Sequence, residues 1–471
     1  MYMVDDDQFD VSTSSAGTEQ PKLPSWRWEA LRTTFWMVPT VLIVVAALLF
    51  LLTFQIDLAA YHHRMTLPFW IRTGSADAGR QVLIAIAAAI ITVVGVVFSI
   101  TILALTLASQ QFGPRMMRNF VRDVGNQMTL GVFVGTFVYS VLALGSITSS
   151  SHGDFVPHLS ITVAEALLLV DLGVLIYFIH HIAKSIQLPE VIAGIARDLF
   201  RAIDAEFPPL DSIDPPRSGK TVGRSVPELL QLIQERGTVV PSSASGYVQF
   251  VGYAQLVDIA SHTDSVIRLD HRPGHFIATG RPLATVWPGG AASQVALALS
   301  KAHVTGPHRT LMQDPVFAID QLVEIAIRAL SPAVNDTFTA LTCIDWLSEN
   351  LCKIVSGWHP VRVHRDAEGY IRLITADPAY DRLMQRAFEK IRQSSMGMPA
   401  VMIRELEALT RIMTETTTDG QRQVLLDQAA MIDRASERSV PEAADRADIR
   451  RRYEAILTME SQLAAREQSS T

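Results

Sequence analysis

Four apolar runs, at 35–54, 82–108, 128–147 and 161–183, crowd into the first 185 of the chain's 471 residues. Each is long enough to cross a bilayer, which takes about 20 helical residues. Backbone N–H and C=O groups find no water in hydrocarbon, so a single run of this length can span lipid only as a helix. The first run is too long for a signal-peptide core and begins too late, so it reads as a retained span. Composition agrees: 49% of residues are hydrophobic and 18% charged, where a soluble domain carries about 25% charged. The deficit lies in the spans. The remainder has ordinary globular composition and suffices for one large domain or two smaller ones.

Basic residues orient the spans. Lys22, Arg27 and Arg32 precede the first, Arg115, Arg118 and Arg122 join the second to the third, and Lys184 closes the fourth. The third-to-fourth loop carries Asp154 and no Lys or Arg. Arg64, Arg72 and Arg80 in the first loop count the other way, but the sum favours a multi-pass protein of the cell membrane with both termini cytoplasmic. The expected organisation is a disordered tail (1–30), a four-helix transmembrane domain (31–185), a helical linker region (186–240), a small β-rich module (241–290), a helical cytoplasmic domain (291–465) and a short disordered tail (466–471). The fold class is thus an α-helical integral membrane protein with a cytoplasmic α+β region. A net charge of −7 argues against nucleic-acid binding. Cys343 and Cys352, nine residues apart on one helix, are about 13 Å apart and too far for a disulfide. Neither a metal site nor a cofactor is expected.

On the second span Thr92, Ser99 and Thr106 recur every seven residues, with Ala85, Ala88 and Gly95 on nearly the same face. Such a stripe serves either close helix packing or a water-facing pore wall. Gly131 and Gly135 on the third span give a small-xxx-small packing pattern. Asp171 lies mid-way along the fourth span with no Lys or Arg at its depth. It is expected to be protonated, to face a polar cavity, or to bond the hydroxyl stripe of the second span in the same or a neighbouring subunit. Glu165, nearer the span's end, reads as solvated, and His180 and His181 precede Lys184 in a way suited to headgroup contact or pH-sensitive charge. After Gly113 and Pro114, the i, i+3, i+7 spacing of Arg115, Arg118 and Arg122 makes a basic elbow for lipid headgroups or for a phosphate or acidic partner.

In the second half, Ser218, Gly219, Lys220 and Thr221 resemble the end of a phosphate loop, but prolines stand where its strand and first glycine are needed. From Ser245 short β segments alternate with Pro and Gly turns. They resemble the barrel-sandwich of lipoyl and biotinyl carriers, which predicts a barrel-like module. The module holds no lysine, which excludes a carrier role. Further on, residues 308–347 read as two helices meeting at a polar corner, with Asn335 and Asp336 as caps. Arg309, Asp314, Arg328, Ser331, Asn335 and Asp336 are then either a ligand or interface cluster or a hydrogen-bonded helix-turn-helix. The segment 399–415 carries Met402, Leu406, Leu409 and Met413 on one apolar face.

The corner, together with "ITVVGVVFSIT", "FGPRMMRNFVRDVGNQMTLGVFVGTFVY" and "YFIHHIAKSIQ", closely resembles one family of predicted bacterial membrane proteins, domain of unknown function 2254. The resemblance runs from about residue 30 to 420 and implies a multi-span membrane protein with no assigned activity. The family's corner reads "ALSPGINDPFTA"; this chain departs from it at Ala333, Val334 and Thr337.

Two functional readings follow. One is a homo-oligomeric ion-conducting pore whose second span lines the path and whose cytoplasmic half regulates it. The other is a membrane-anchored binding or scaffold protein, its spans in lipid and its cytoplasmic half engaging a protein or small ligand. No catalytic constellation supports an enzyme: there is no HExxH, no Ser-His-Asp order and no nucleotide loop.

Overall fold

The computed structural model describes residues 36–62, 71, 74–112, 123–148, 155–206, 223–358, 362–376 and 379–470. The N-terminal tail, the basic elbow and the Pro-rich link after residue 206 lie outside the described residues. The chain divides into two compact units, with the boundary between Val191 and Ile192.

The first unit is a bundle of four helices: α1 (Met37–Tyr61), α2 (Ala76–Phe112), α3 (Val124–Ser146) and α4 (His158–Ser185). All four are long and apolar enough to cross a membrane. α3 packs against each of the other three and is the most buried. Its glycines explain the closeness of α1. A Cβ on Gly131 would fall 2.6 Å from Leu42 Cδ1 and 3.0 Å from the Pro39 Cα, and one on Gly135 would fall 3.3 Å from Ala46 Cβ. The small-xxx-small pattern is therefore a helix contact. Gly131→Ala is expected to cost about 1–3 kcal/mol through overpacking. Gly145→Ala, with open space at its Cβ, should be neutral or gain up to about 1 kcal/mol of helix propensity. Thermal melts of the two variants in detergent check this contrast.

α5 (Leu188–Glu206) leads into the second unit, which continues with α6 (Val226–Arg236), β1 (Thr238–Pro241), β2 (Gly246–Val251), α7 (Tyr253–His262), β3 (Val266–Leu269), β4 (Phe276–Ile277) and β5 (Pro282–Trp287). Then come α8 (Ala292–Ala302), β6 (His303–Gly306), α9 (Pro315–Ala329), α10 (Thr337–Ser356), β7 (Val363–Arg365) and β8 (Ile371–Ile374). The helices α11 (Tyr380–Ser394), α12 (Pro399–Met413), α13 (Asp419–Ser439) and α14 (Ala443–Ser470) complete it.

The expected barrel is not there. The strands form two small open sheets, ordered β1-β5-β3-β8-β7 and β4-β2-β6. The larger sheet takes β8 in parallel beside β3, so a strand from just over a hundred residues downstream occupies the place where a local barrel would have closed. Burial alternates along β2, and Val248, Ile267, Val286, Leu256 and Val295 join one apolar core with α7 and α8. In the helical part Met402, Leu406, Leu409 and Met413 are all fully buried, as the spacing of 399–415 predicts. α12 packs on α10, α13 and α14. α13 begins with a complete capping box, Thr418 and Gln421 satisfying each other's backbone N–H groups.

Candidate functional site

The interior of the four-helix bundle is polar along much of α3. At one end Asp123 caps α3, accepting from the N–H groups of Gly125 (2.7 Å) and Asn126 (3.3 Å). His181 of α4 places Nε2 at 2.9 and 2.8 Å from the two Asp123 oxygens. At the other end Asp57, buried on α1, caps α4. It accepts from the N–H of Leu159 (2.8 Å), the N–H of Ser160 (2.9 Å) and the Ser160 hydroxyl (2.7 Å). Thr53 extends this network to the Tyr139 hydroxyl at 2.8 Å. Two aspartates thus fasten opposite ends of the bundle, each using the unmatched N–H groups and positive dipole of a helix N-terminus.

Between them Asp171 of α4 is 2% exposed. Its Oδ1 accepts from the Thr136 hydroxyl of α3 at 3.2 Å. Asp171 makes no bond to the stripe of its own chain's α2, because that stripe points the other way. Thr92, Ser99 and Thr106 are exposed, as are Ala85, Ala88 and Gly95. Each stripe hydroxyl donates to the carbonyl one turn back on its own helix: Thr92 to Ala88, Ser99 to Gly95, Thr106 to Ile102, at 2.8–2.9 Å. Arg115, Arg118 and Arg122 lie outside the described residues.

The candidate cluster of the second half separates into two places. At the start of α9, Arg309 grips Asp314 with two bonds, Nε to Oδ2 (2.7 Å) and Nη2 to Oδ1 (2.9 Å), and also binds Asp320. Arg386 of α11 donates to both oxygens of Asp320. Burial pushes Asp314 up while Arg309 pulls it down, the net direction being upward. Burial also pushes His275 down to about 4, helped by nearby Arg272 and His271. Arg328, Ser331, Asn335 and Asp336 sit at the far end of α9, 15 residues away, which is about 22 Å. There the Ser331 hydroxyl donates to the Arg328 carbonyl (2.7 Å). Asp336 caps α10, accepting from the N–H (3.1 Å) and hydroxyl (2.6 Å) of Thr339. Asn335 holds a left-handed φ of 49°, a conformation Asn tolerates better than most residues.

The family described as "Predicted membrane protein (DUF2254)" matches residues 32–411. The chain belongs to this family. It is 31% identical over 381 residues, 79% of this chain and 71% of the relative, to an uncharacterized protein of Mycobacterium tuberculosis. An uncharacterized protein of Mycobacterium bovis shows the same identity over the same shares. No solved structure gives a significant match. In this DUF2254 protein the corner is a capped turn whose apolar residues face outward: Val334 is 55% and Phe338 82% exposed.

Sequence reasoning missed Asp57, the Asp123–His181 pair and the Asp320–Arg386 contact. For Asp57 a signal existed: a lone carboxylate just past the first apolar run, whose cost in an apolar helix calls for donors.

Proposed function

We propose that this DUF2254 protein is a homo-oligomeric, cation-conducting pore of the cell membrane, with both termini cytoplasmic and its second unit acting as a regulatory domain. The supporting observation is that the whole small and polar stripe of α2, from Ala85 to Thr106, is exposed on the four-helix unit instead of being used inside it. The neighbouring faces carry Ile84, Ile91, Val96, Phe98 and Leu103 as exposed apolar residues suited to lipid. A cyclic assembly brings one stripe per subunit to a shared axis. Each stripe hydroxyl spends its proton on its own helix and so offers outward only acceptor lone pairs. Acceptors replace the hydration shell of a cation, not of an anion.

The test is unitary current across a planar bilayer containing the purified chain, with Cys343 and Cys352 replaced by Ala and Ser99→Cys introduced. Cation-selective currents that a membrane-impermeant cationic thiol reagent blocks only in Ser99→Cys are the expected result. Silence of an intact oligomer in several salts would overturn the reading. The exposed Val334 and Phe338 at the corner support a second reading, a membrane-anchored scaffold that binds a partner there. Silence in that experiment would favour it.

A further inference from the structure

We infer that each four-helix bundle holds a small monovalent cation, H⁺ or Na⁺, between α3 and α4, bound by the Asp171 carboxylate with the Thr136 and Ser140 hydroxyls. Charge comes first. Within the four helices every Lys, Arg and His lies at an end: Arg80 in the first turns of α2, His158 at the start of α4, and His180, His181 and Lys184 in its last turns. His180 stands nine residues from Asp171, about 13 Å along the axis. A carboxylate kept from water needs a countercharge or several donors, because an isolated buried charge is costly. Asp57 and Asp123 meet this need with the N–H groups of helix ends. Asp171 has one neutral hydroxyl, Thr136.

The second observation is the polarity left over around it. Asp171 Oδ2 is buried without a hydrogen-bond partner, and so is Ser140 Oγ on a fully buried residue. Ser140 stands one turn along α3 from Thr136, on the same helix face. A carboxylate oxygen and a serine hydroxyl that are both buried and unmatched each carry a penalty that a shared ligand removes. The ligand must be positive, to neutralise the carboxylate, and must suit oxygen donors. It must also be small, because Asp171 and Ser140 are buried within the bundle, whose apolar core includes Phe133, Ala164 and Phe178. A proton and a sodium ion share that chemistry. This inference does not depend on conduction through the stripe of α2, which lies on the outside of the same unit.

The other titratable groups of α1, α3 and α4 are Asp57, Tyr61, Tyr139, His158 and Glu165 toward one end, and Tyr177, His180, Lys184 and the Asp123–His181 pair toward the other. α2 carries Asp77 and Arg80, both in its first turns.

The experiment is thermal unfolding of the purified full chain in detergent, with sodium exchanged for choline at constant ionic strength, from mildly acidic to mildly alkaline pH. It is run on wild type, Asp171→Asn and Ser140→Ala and reads no current, so it is decided separately from the pore. A sodium ion predicts a rise of several degrees that saturates with sodium and is lost in Asp171→Asn. A proton predicts a rise on acidification that is the same in sodium and choline and is lost in Asp171→Asn. In either case Ser140→Ala, which leaves the carboxyl in place and keeps the test valid if Asp171→Asn fails to fold, moves the midpoint several-fold in ligand concentration. A wild type that responds to neither ion, or whose response and midpoint are unchanged in the variants that fold, overturns the proposal.

Discussion

Arg309→Ala should destabilise the second unit by about 3–5 kcal/mol, the range for removing one partner of a buried ion pair. Arg309 is 14% exposed, and its partners Asp314 and Asp320 are 4% and 12% exposed. Burial works against the guanidinium's charge, yet the bonds to the two carboxylates outweigh it and hold Arg309 above its ordinary pKa. Without it Asp314 loses both ends of a bidentate grip, and burial, already the largest influence on that carboxyl, is opposed only by the smaller pull of the Phe317 backbone N–H. Asp320 keeps Arg386, so the main loss falls on Asp314. The backbone leaves little room to adapt. Gly274 holds a φ of +89° directly against the Asp314 carboxylate, where a Cβ would collide with it. Arg309→Lys should fall between wild type and Arg309→Ala, since it restores the charge but not the planar fork. The deficit of Arg309→Ala should shrink as pH falls, because protonation of Asp314 removes the unpaired charge. Denaturation of the full chain in detergent, followed by a probe in the second unit, measures all three effects.

The four long apolar helices were legible because hydrophobicity in this part of the chain is continuous, and continuity does not depend on tertiary partners. Even so, the first apolar run ends at Phe54 while α1 continues to Tyr61. The difference is Asp57, which reads as a terminator but is buried as the cap of another helix. The direction of the α2 stripe was not legible, because spacing shows which residues share a face and not what that face meets. For the same reason Thr136, the hydroxyl that Asp171 meets on α3, was not legible. Caps depend on local sequence, and Asp336 before α10 was found. Contacts between distant segments were not. Asp320 reads as an ordinary polar position on an amphipathic helix until Arg386, 66 residues later, arrives beside it. The sheet failed for the same reason, since β3 is completed by β8 and no local pattern near Ile267 announces Leu373.

Glu405→Gln is expected to stabilise the chain at alkaline pH and to lose that advantage in acid. Glu405 is fully buried on α12. Its Oε2 receives the Ser395 hydroxyl at 3.1 Å, and its Oε1 has no hydrogen-bond partner. Burial pushes the carboxyl up from 4.5 to about 8, against smaller opposing pulls from Ser395 and Arg392. Between those two values the folded chain keeps a proton that the unfolded chain has lost. Stability therefore falls as pH rises through that window, by about 1.4 kcal/mol per pH unit, and Glu405 contributes no slope below or above it. Glutamine has the same shape and does not titrate. Its carboxamide oxygen can accept from Ser395, while its buried N–H₂ lacks a partner at every pH, an offset of about 1–3 kcal/mol that does not vary with pH. The difference in stability between Glu405→Gln and wild type should accordingly grow steadily from pH 4.5 to pH 8 and then level off. Melting curves of both proteins across that range decide it. A difference that stays flat would mean that Glu405 is ionised in the folded chain and that its charge is met by Arg392, which lies close enough to act on it.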